Sequence, residues 1–380
     1  MNNFWHDLPQ PFFILAPMEA VTDVVFRHVV AQAGAPDIFF SEFTNATGWV
    51  HAGEKAIGGR LIKTDDEAPI VAQIWGGEPG DMEQLAVHCR ELGYHGIDIN
   101  MGCPAKSAIK SGGSALIRNP ELAAEAIAAA KTAGLPVSVK TRLGYTHIDE
   151  WRDWLAHLLS QDIVNLTIHL RTKREMSKVP AHHELIPEIV KLRDEIAPHT
   201  LLTINGDIED REHGIELIRR YPGVNGVMIG RGIFHDPFCF RQSKPTTYTS
   251  RTEPPNVATG EPLAISFLET SATPSDTDEC SIDDGREAVS KKDGGEEARA
   301  EHKKKALFNL LHYHLDLYDD WAEQLHRPFE TLKRFFKIYI RDFDGAAEVR
   351  DKLMHTKSTD EVRAVIGAYD GQTNLRQTKK

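Results

Sequence analysis

The sequence predicts an α/β protein: a (β/α)8 barrel of the TIM type, followed by an all-helical C-terminal domain. Three observations predict this fold. Eight short runs of apolar or β-branched residues recur before position 240, as in parallel strands that are buried on both faces. Amphipathic stretches separate the runs, which indicates βα units. Most runs end in polar residues or glycine, as strands do at the catalytic end of a barrel.

The strands can be placed in chain order from these apolar runs. Eight βα units fit a closed barrel better than an open doubly wound sheet, which is the alternative architecture. The predicted strands are Phe12–Pro17, Asp37–Phe43, Pro69–Trp75, Gly96–Asn100, Pro136–Thr141, Val164–Leu170, Leu201–Asn205 and Val224–Ile229.

The connections between these strands are predicted to contain helices. One of them has clear ends, because Asn119 and Pro120 provide an N-cap and a first-turn proline, and Gly134 follows the last turn. The predicted helices of the barrel are Asp81–Leu92, Pro120–Ala133, Trp151–Ser160, Glu184–Ile196 and Arg211–Arg220.

Length and composition set outer limits on the protein class. The chain has 380 residues, of which 41% are hydrophobic, enough for a barrel of roughly 250 residues and an accessory domain. Its net charge of -12 does not by itself indicate nucleic-acid binding, but such binding depends on local basic patches rather than on net charge. The four cysteines form no CxxC pair, which favours a reducing cytoplasm over a disulfide framework or a zinc site. We expect no signal peptide and no membrane segment.

Composition changes abruptly after Phe240 and divides the chain into three predicted parts. Residues 1–240 form the catalytic barrel domain. Residues 241–300 are rich in Ser, Thr, Pro and acidic residues, which predicts a disordered insertion of low complexity. Residues 301–380 form a helical domain. Its predicted helices are Ala306–Leu325, Phe329–Phe343 and Glu361–Ala368.

One of these C-terminal helices has a basic face. Lys333, Arg334, Lys337 and Arg341 recur at spacings of three to four, with apolar residues between them. A solvated face over a packed one is the simpler interpretation, and a surface that contacts nucleic acid is the alternative.

The strand ends carry polar groups that suit a flavin with one phosphate. Asn205-Gly206-Asp207 follows the seventh strand and Gly230-Arg231-Gly232 the eighth, where barrels commonly bind phosphate through exposed backbone amides. Lys140 and His169 could stabilise negative charge on a polar ring. No GxGxxG follows the first strand, which disfavours a dinucleotide fold. The other candidate ends are Ala16-Pro17-Met18-Glu19, Gln73, Asn100, Arg142 and Arg171.

Cys103 is the candidate catalytic residue, since it follows the fourth strand in a Gly-Cys-Pro turn. A lone cysteine is often an inert buried residue, but its place at the catalytic rim favours a functional thiol. An acid is the expected role rather than a nucleophile, because no Cys-His-acid arrangement is evident. His182-His183-Glu184 and His312/His314 lack the spacing of a metal site, so we expect no metal.

Several segments together resemble the tRNA-dihydrouridine synthase family, over about residues 12–240. The combination of Asn-x-Gly-Cys-Pro with Val-Lys-x-Arg-Leu-Gly is highly specific. The similar segments are Leu15–Glu19, Ser41-Glu42, Asn100–Ala105, Gly112–Leu116, Val137–Gly144, His169–Thr172, Asn205–Asp207 and Val227–Gly232.

This resemblance implies that the protein binds FMN, which NADPH reduces, and that it reduces a uridine in tRNA. The helical region 301–380 also resembles the tRNA-binding domain of that family. Hydride would pass to uracil C6, and Cys103 would protonate C5 as a general acid. Asn100 and Arg142 would face the uracil and adjacent RNA, while Arg171, Lys173 and Arg174 would contact RNA phosphates. The implied FMN contacts are Pro17, Met18, Glu19, Gln73, Lys140, His169, Asn205, Gly206, Asp207, Gly230 and Arg231.

Three features depart from the family pattern. Leu170 replaces a common glycine beside the phosphate site, the acidic insertion 241–300 is not a usual family part, and the overall charge is low for an RNA-modifying enzyme. Two other functions are therefore kept as alternatives: a barrel flavoenzyme that reduces a free pyrimidine or an enone, and an RNA-binding relative without turnover. We expect a monomer.

Overall fold

The computed structural model describes residues 3–242 and 288–377. The chain separates into two compact units. One comprises Met1–Pro245 and Trp321–Thr331, and the other comprises Thr246–Asp320 and Leu332–Lys380. The short segment Trp321–Thr331 therefore belongs to the first unit, although the predicted boundary placed it in the C-terminal part. The three-part division itself stays a prediction.

The first unit is built on a parallel sheet that curls into a barrel. Its strand order is β1-β9-β8-β7-β6-β5-β4-β2, and β3 also pairs with β4. A bridge between Ile14 and Ile38 links β1 to the segment before β2, which brings the two ends of the order together. This confirms the (β/α)8 barrel over the open sheet. The strands are β1 Phe12–Leu15, β2 Phe39–Phe40, β3 Thr44–Asn45, β4 Ile70–Trp75, β5 Gly96–Asn100, β6 Val137–Arg142, β7 Asn165–His169, β8 Leu201–Asn205 and β9 Gly226–Ile229.

The second barrel strand is interrupted, which the sequence did not predict. The expected strand Asp37–Phe43 is reduced to Phe39–Phe40, and a further short strand begins at Thr44. Between them the Ser41 hydroxyl accepts a hydrogen bond from the backbone N–H of Gln73, at 3.0 Å. The Ser41 hydroxyl is thus the acceptor where a regular parallel ladder would have a backbone carbonyl. The other seven predicted strands are confirmed to within three residues at each end.

Helices cover the outside of the barrel, and all five predicted there are confirmed. The cap predicted at Asn119 is also present, since its side chain accepts a hydrogen bond from Leu122 N at 3.3 Å. The helices of this unit that lie before β4 or after β9 were not predicted from the sequence. The α-helices of this unit are α1 Val24–Gly34, α2 Ala46–Ala52, α3 Glu54–Ile57, α4 Pro79–Glu91, α5 Pro120–Lys131, α6 Trp151–Leu159, α7 Ile186–Ile196, α8 Arg211–Arg220 and α9 Gly232–His235.

The amino ends of the strands are closed by an apolar cluster. Trp5, in a 3-10 helix at Phe4–Asp7, is 1% exposed and packs edge-on against Phe12 with ring centres 5.8 Å apart. Ile14, Phe40 and Met228 belong to the same buried cluster. Because this end is packed with large side chains, a binding site is expected only at the opposite, carboxyl ends of the strands.

The second unit is helical, with bounds that differ from the predicted ones. Helix α10 begins at Ala288, inside the segment predicted to be disordered, in a stretch rich in Ala, Glu and Lys. Residues 243–287 lie outside the described part of the chain, so the prediction made for them stays a prediction. Of the described helices, none is long and apolar enough to cross a bilayer. The helices are α10 Ala288–Leu325, α11 Phe336–Tyr339, α12 Ala346–Met354 and α13 Thr359–Gln377.

The predicted basic helix Phe329–Phe343 is wrong as a single element. A 3-10 helix at Phe329–Phe335 is followed by the short helix α11. The amphipathic pattern is nevertheless present, because Phe335, Phe336 and Tyr339 are buried while Arg334 and Lys337 are exposed. Buried Tyr339 meets His314 of α10, with a hydroxyl-to-Nδ1 distance of 2.7 Å. His314 is therefore explained by packing rather than by a metal.

Candidate active site

A cavity of about 520 Å³ opens at the carboxyl ends of the strands. This volume lies within the range of small-molecule and cofactor sites. The predicted site residues that do not line it are Glu19, Gln73, Asn100, Cys103, Arg171, Lys173 and Arg174. The predicted residues that do line it are Pro17, Met18, Lys140, Arg142, His169, Asn205, Gly206, Asp207, Gly230 and Arg231.

Cys103 lies half-buried in the loop after β5. Its backbone N–H donates to Asn100 Oδ1 at 2.9 Å, and its carbonyl accepts from Ser114 N at 3.1 Å. The close approach of the Gly-rich segment requires glycine, because Gly113 has φ +56° and a Cβ there would lie 3.0 Å from the Cys103 carbonyl oxygen. Two backbone segments therefore fix the position of the thiol.

The Cys103 thiol is held in its protonated form. Burial raises its pKa above the usual value, and the Glu19 charge acts in the same direction, while Arg142 and Lys140 oppose it. A thiol that keeps its proton at neutral pH suits a proton donor and does not suit a nucleophile.

Lys140 and Arg142 extend from the end of β6 towards the cavity. Lys140 Nζ lies 3.4 Å from Asn205 Oδ1. Burial, with the Arg142 charge acting in the same direction, lowers the pKa of Lys140 to about 8. Lys140 is thus a cation at neutral pH that loses its charge in mildly alkaline solution.

Arg142 joins two loops of the catalytic end. Its Nε donates to the Gly102 carbonyl at 2.7 Å, beside Cys103. Its Nη1 lies 3.2 Å from the Met176 carbonyl, in the loop after β7. The guanidinium therefore ties the Cys103 loop to the basic loop that follows His169.

His169 is neutral and has a defined tautomer. Burial, followed by the Arg142 and Lys140 charges, holds the pKa of His169 well below its usual value. Arg142 Nη1, which can only donate, lies 3.3 Å from His169 Nδ1. Since Nδ1 accepts this bond, the ring proton is on Nε2, where it can be donated to a bound ligand.

Asp207 collects two arginines beside the glycine turns that follow β8 and β9. Arg171 donates to Asp207 Oδ2, and Arg231 Nη2 donates to Oδ1 at 2.9 Å. Burial alone would raise the pKa of Asp207, but the hydrogen bond from Arg171 outweighs burial, so this pKa is lower than usual. The carboxylate therefore orients two cations and does not need to bind a ligand itself.

Arg171 is placed differently from the prediction. It was expected to contact RNA, but its side chain is only 2% exposed, so an RNA phosphate could not reach it in this structure. Its buried Nη1 has no hydrogen-bond partner among the described residues. This N–H lies beside Gly206 and Asp207, and both of these residues line the cavity.

The remaining predicted residues fall into two groups. Gln73 and Asn100 are buried and hydrogen-bonded to each other, with Asn100 Nδ2 donating to Gln73 Oε1 at 3.0 Å. Glu19, in contrast, is 50% exposed and accepts from Arg60 at 3.1 Å. For all three the predicted ligand contacts stay predictions.

Lys173 and Arg174 lie at the rim, in the loop after β7. The Lys173 ammonium is 4.8 Å from the centre of the Tyr145 ring, and exposed Arg118 is 4.1 Å from the same ring. Arg174 is exposed. This basic and aromatic cluster is accessible to a polyanion.

Sequence reasoning gave no role to the buried carboxylate of Asp98 and did not identify the partner of Glu42. Asp98, within β5, accepts from Gln73 Nε2 at 2.7 Å. Glu42, at the break between β2 and β3, accepts from Arg327, which also donates to Asp23 at 2.7 Å. A charged residue inside an apolar run was the available signal for Asp98. No local pattern pointed to Arg327, which is 285 residues from Glu42.

Comparisons with known proteins agree with this geometry. Residues 14–272 match the model of the family described as "Dihydrouridine synthase (Dus)". The chain is 51% identical to "Probable tRNA-dihydrouridine synthase 2" of Bacillus subtilis, covering 97% of both chains. It is 48% identical to "Probable tRNA-dihydrouridine synthase" of Staphylococcus epidermidis, covering 99% of this chain and 98% of that one.

Similarity to solved structures is weaker. A structure titled "X-structure of a variant of NCR from zymomonas mobilis" has a TM-score of 0.41 and 14% identity, covering 60% of this chain and 84% of that one. This likeness is too low to bear on the fold or the function.

Proposed function

We propose a mechanism on one premise: the chain belongs to the dihydrouridine synthase family, and is an oxidoreductase that reduces uridine in tRNA to 5,6-dihydrouridine. The observation that carries the mechanism is the Cys103 thiol, which is half-buried and holds its proton beside two cations. Reduction of a C5–C6 double bond requires one hydride and one proton, and this thiol supplies the proton.

The residues around the cavity fit FMN as the cofactor. Arg231, which lines the cavity, and the backbone amides at Gly206 and Gly230 would hold its phosphate. Buried Arg171 would act indirectly, because it orients Asp207, which in turn holds Arg231. Neutral His169, through Nε2–H, and cationic Lys140 would hold electronegative atoms of the ring system. When bound and reduced, the flavin would supply the hydride for uracil C6, and we propose NADPH as the reductant.

The chain's own residues would complete the reaction through Cys103. Its S–H bond breaks as a C–H bond forms at uracil C5, which leaves a thiolate. Lys140 and Arg142 stabilise this thiolate, because both charges lower the pKa of Cys103. The thiol is half-buried rather than sealed, so solvent can return the proton afterwards. General acid catalysis of this kind contributes about 10²- to 10⁴-fold to a rate.

The tRNA would be held at the rim by charge. Lys173 and Arg174 lie on the accessible basic loop, whereas Arg171 does not. We place Lys173 and Arg174 against the RNA backbone and Arg142 near the uracil. The target base must leave its stack to reach the cavity. We propose that the protein acts as a monomer in the cytoplasm.

Nucleoside mass spectrometry of tRNA incubated with the purified protein, FMN and NADPH tests this function. We expect a gain of two mass units on uridine, with tRNA turned over far faster than free uridine. Equal turnover of both substrates would identify a small-molecule reductase. A colourless protein that binds tRNA without turnover would identify a binding protein.

A further inference from the structure

We propose that Asp98 is a positioning residue for Cys103, and that it acts by fixing the orientation of two side-chain amides in series, those of Gln73 and Asn100. The second amide holds the loop that carries the thiol. This inference rests on the proposed role of Cys103 as the proton donor and extends it by one buried carboxylate.

The series begins at the centre of the barrel wall. Gln73, Asp98 and Ser138 are register partners on the adjacent strands β4, β5 and β6, and all three side chains are fully buried. Asp98 Oδ2 accepts from Gln73 Nε2 at 2.7 Å, and Asp98 Oδ1 accepts from Ser138 Oγ at 2.6 Å. Burial raises the pKa of Asp98 to about 6, so at neutral pH the group is mainly a carboxylate that can only accept.

An acceptor at this point determines how the Gln73 amide is turned. Its NH₂ group must face Asp98, so its oxygen faces the opposite way. That oxygen accepts from Asn100 Nδ2 at 3.0 Å. The NH₂ group of Asn100 is therefore directed towards Gln73, and its oxygen is directed towards the loop.

The series ends on the backbone of the catalytic loop. Asn100 Oδ1 accepts from Gly102 N at 3.1 Å and from Cys103 N at 2.9 Å. A backbone N–H can only donate, just as the Asp98 carboxylate can only accept. Two amides between an acceptor-only end and a donor-only end can satisfy every hydrogen bond in one arrangement only.

The alternative arrangements are costly because the whole series is buried. Turning either amide would set two NH₂ groups, or two oxygens, against each other. A buried polar group left without its partner costs about 1–3 kcal/mol. Removing the acceptor at Asp98 would release the Gln73 amide, and through Asn100 it would release the two N–H groups that hold the thiol's loop.

Asp98 acts through its oxygen rather than through its charge, and this can be tested. In Asp98→Asn the side-chain oxygen can still accept from Gln73, while the new NH₂ group meets the Ser138 hydroxyl, which can accept. In Asp98→Leu, of similar size, the acceptor is lost. Ser138→Ala is the matched control, because it removes the bond to Oδ1 and leaves the bond between Oδ2 and Gln73.

The experiment compares these three variants as full-length holoenzymes. The measurements are kcat and KM for tRNA, and the alkylation rate of Cys103 by iodoacetamide, read by mass spectrometry. For Asp98→Leu we expect kcat to fall about 10- to 100-fold, as for a catalytic group displaced by about 1 Å. We expect its KM to stay within about twofold and its alkylation rate to change several-fold. Asp98→Asn and Ser138→Ala should stay within about threefold of wild type in both measurements.

Three results would overturn the proposal: a wild-type kcat in Asp98→Leu, an equal loss in Asp98→Asn, or an unchanged alkylation rate of Cys103 in a variant that has lost kcat. If Asp98→Leu does not fold, Gln73→Met breaks the same series at its middle and is judged by the same alkylation rate. Absence of dihydrouridine from the wild-type enzyme would instead reject the proposed function, and the alkylation comparison would still test the series.

Discussion

Two sets of charged residues in the barrel differ in how their charges are satisfied. The cationic set, Lys140, Arg142, Arg171 and Arg231, lies at the cavity or beside it. The carboxylate set, Asp23, Glu42 and Asp98, is buried, and each member is paired with another protein group. The first set is arranged to bind an anionic ligand, and the second to hold protein groups in place.

This difference explains how one barrel can present cations to the proposed cofactor and still have a defined geometry. A ligand can satisfy cations that line a cavity, and Lys140 and Arg231 line this one. The buried carboxylates are instead stabilised by partners within the chain, as Glu42 is by Arg327. Replacing members of the first set should therefore change binding and catalysis, and replacing partners of the second should change stability or geometry.

The largest expected effect lies at Cys103, where the two sets meet. Cys103→Ala removes the proton donor and should lower kcat for dihydrouridine formation by about 10²- to 10⁴-fold. Flavin absorbance and tRNA affinity should remain at wild-type levels, because the thiol is not needed for either. Cys239→Ala is the matched control, since that thiol is buried away from the cavity. Wild-type kcat in Cys103→Ala would contradict the mechanism.

The second-largest effect is expected at Arg327, which pairs with Asp23 and Glu42. Arg327→Ala should lower the free energy of unfolding by about 3–5 kcal/mol, because it leaves Asp23 and Glu42 buried without their cation. Burial already raises the pKa of both carboxyl groups, against the opposing Arg327 charge. Chemical denaturation measures the change, and Lys178→Ala, at an exposed position, is the control.

A partial rescue would identify the cause of that loss. Adding Glu42→Gln to Arg327→Ala removes one uncompensated charge and should recover part of the stability. If the double variant is no more stable than Arg327→Ala, or if Arg327→Ala is as stable as the control, then the ion pairs do not stabilise this part of the barrel.

Arg327 and Asp98 show what the sequence could and could not predict. Strands and helices were found because their patterns are local: an apolar run or a 3.6-residue period is complete within a few residues. The glycine turns after β8 and β9 were found for the same reason. The partners of Glu42 and Asp98 depend on the folded structure of the first unit, because folding brings together residues that are distant in the chain.

The misplaced contacts have the same origin. Arg171 was assigned to RNA because it begins a basic run, yet the backbone turns its side chain inward to Asp207 while Arg174 stays exposed. The sequence pattern indicates where charge is concentrated, but it does not show which members of a basic run are buried. The single predicted helix at 329–343 was likewise divided by packing, which overrides local periodicity.

A third prediction sharpens the assignment of Arg171 to the cationic set. Arg171→Met should weaken flavin binding by about 10- to 100-fold, because it removes the charged hydrogen bond that positions Asp207, the partner of Arg231 at the cavity. Affinity for tRNA should change little, because the side chain is buried. Lys173→Met provides the reverse comparison, with weaker tRNA binding at unchanged flavin affinity. Flavin fluorescence and tRNA filter binding measure the two affinities, and the opposite pattern would return Arg171 to the RNA surface.

The smallest expected effect is a dependence of kcat on pH, caused by the titration of Lys140. Burial lowers the pKa of Lys140 to about 8, so the ammonium is present below that pH and is lost as the pH rises through it. Because the charge stabilises the Cys103 thiolate, kcat should fall about tenfold for each pH unit well above 8. Burial raises the pKa of Cys103 above its usual value, so the thiol loses its proton at a higher pH than an ordinary cysteine does. In Lys140→Arg, whose side chain stays charged, the decline should move to higher pH. A decline that keeps its midpoint in this variant would show that another group titrates.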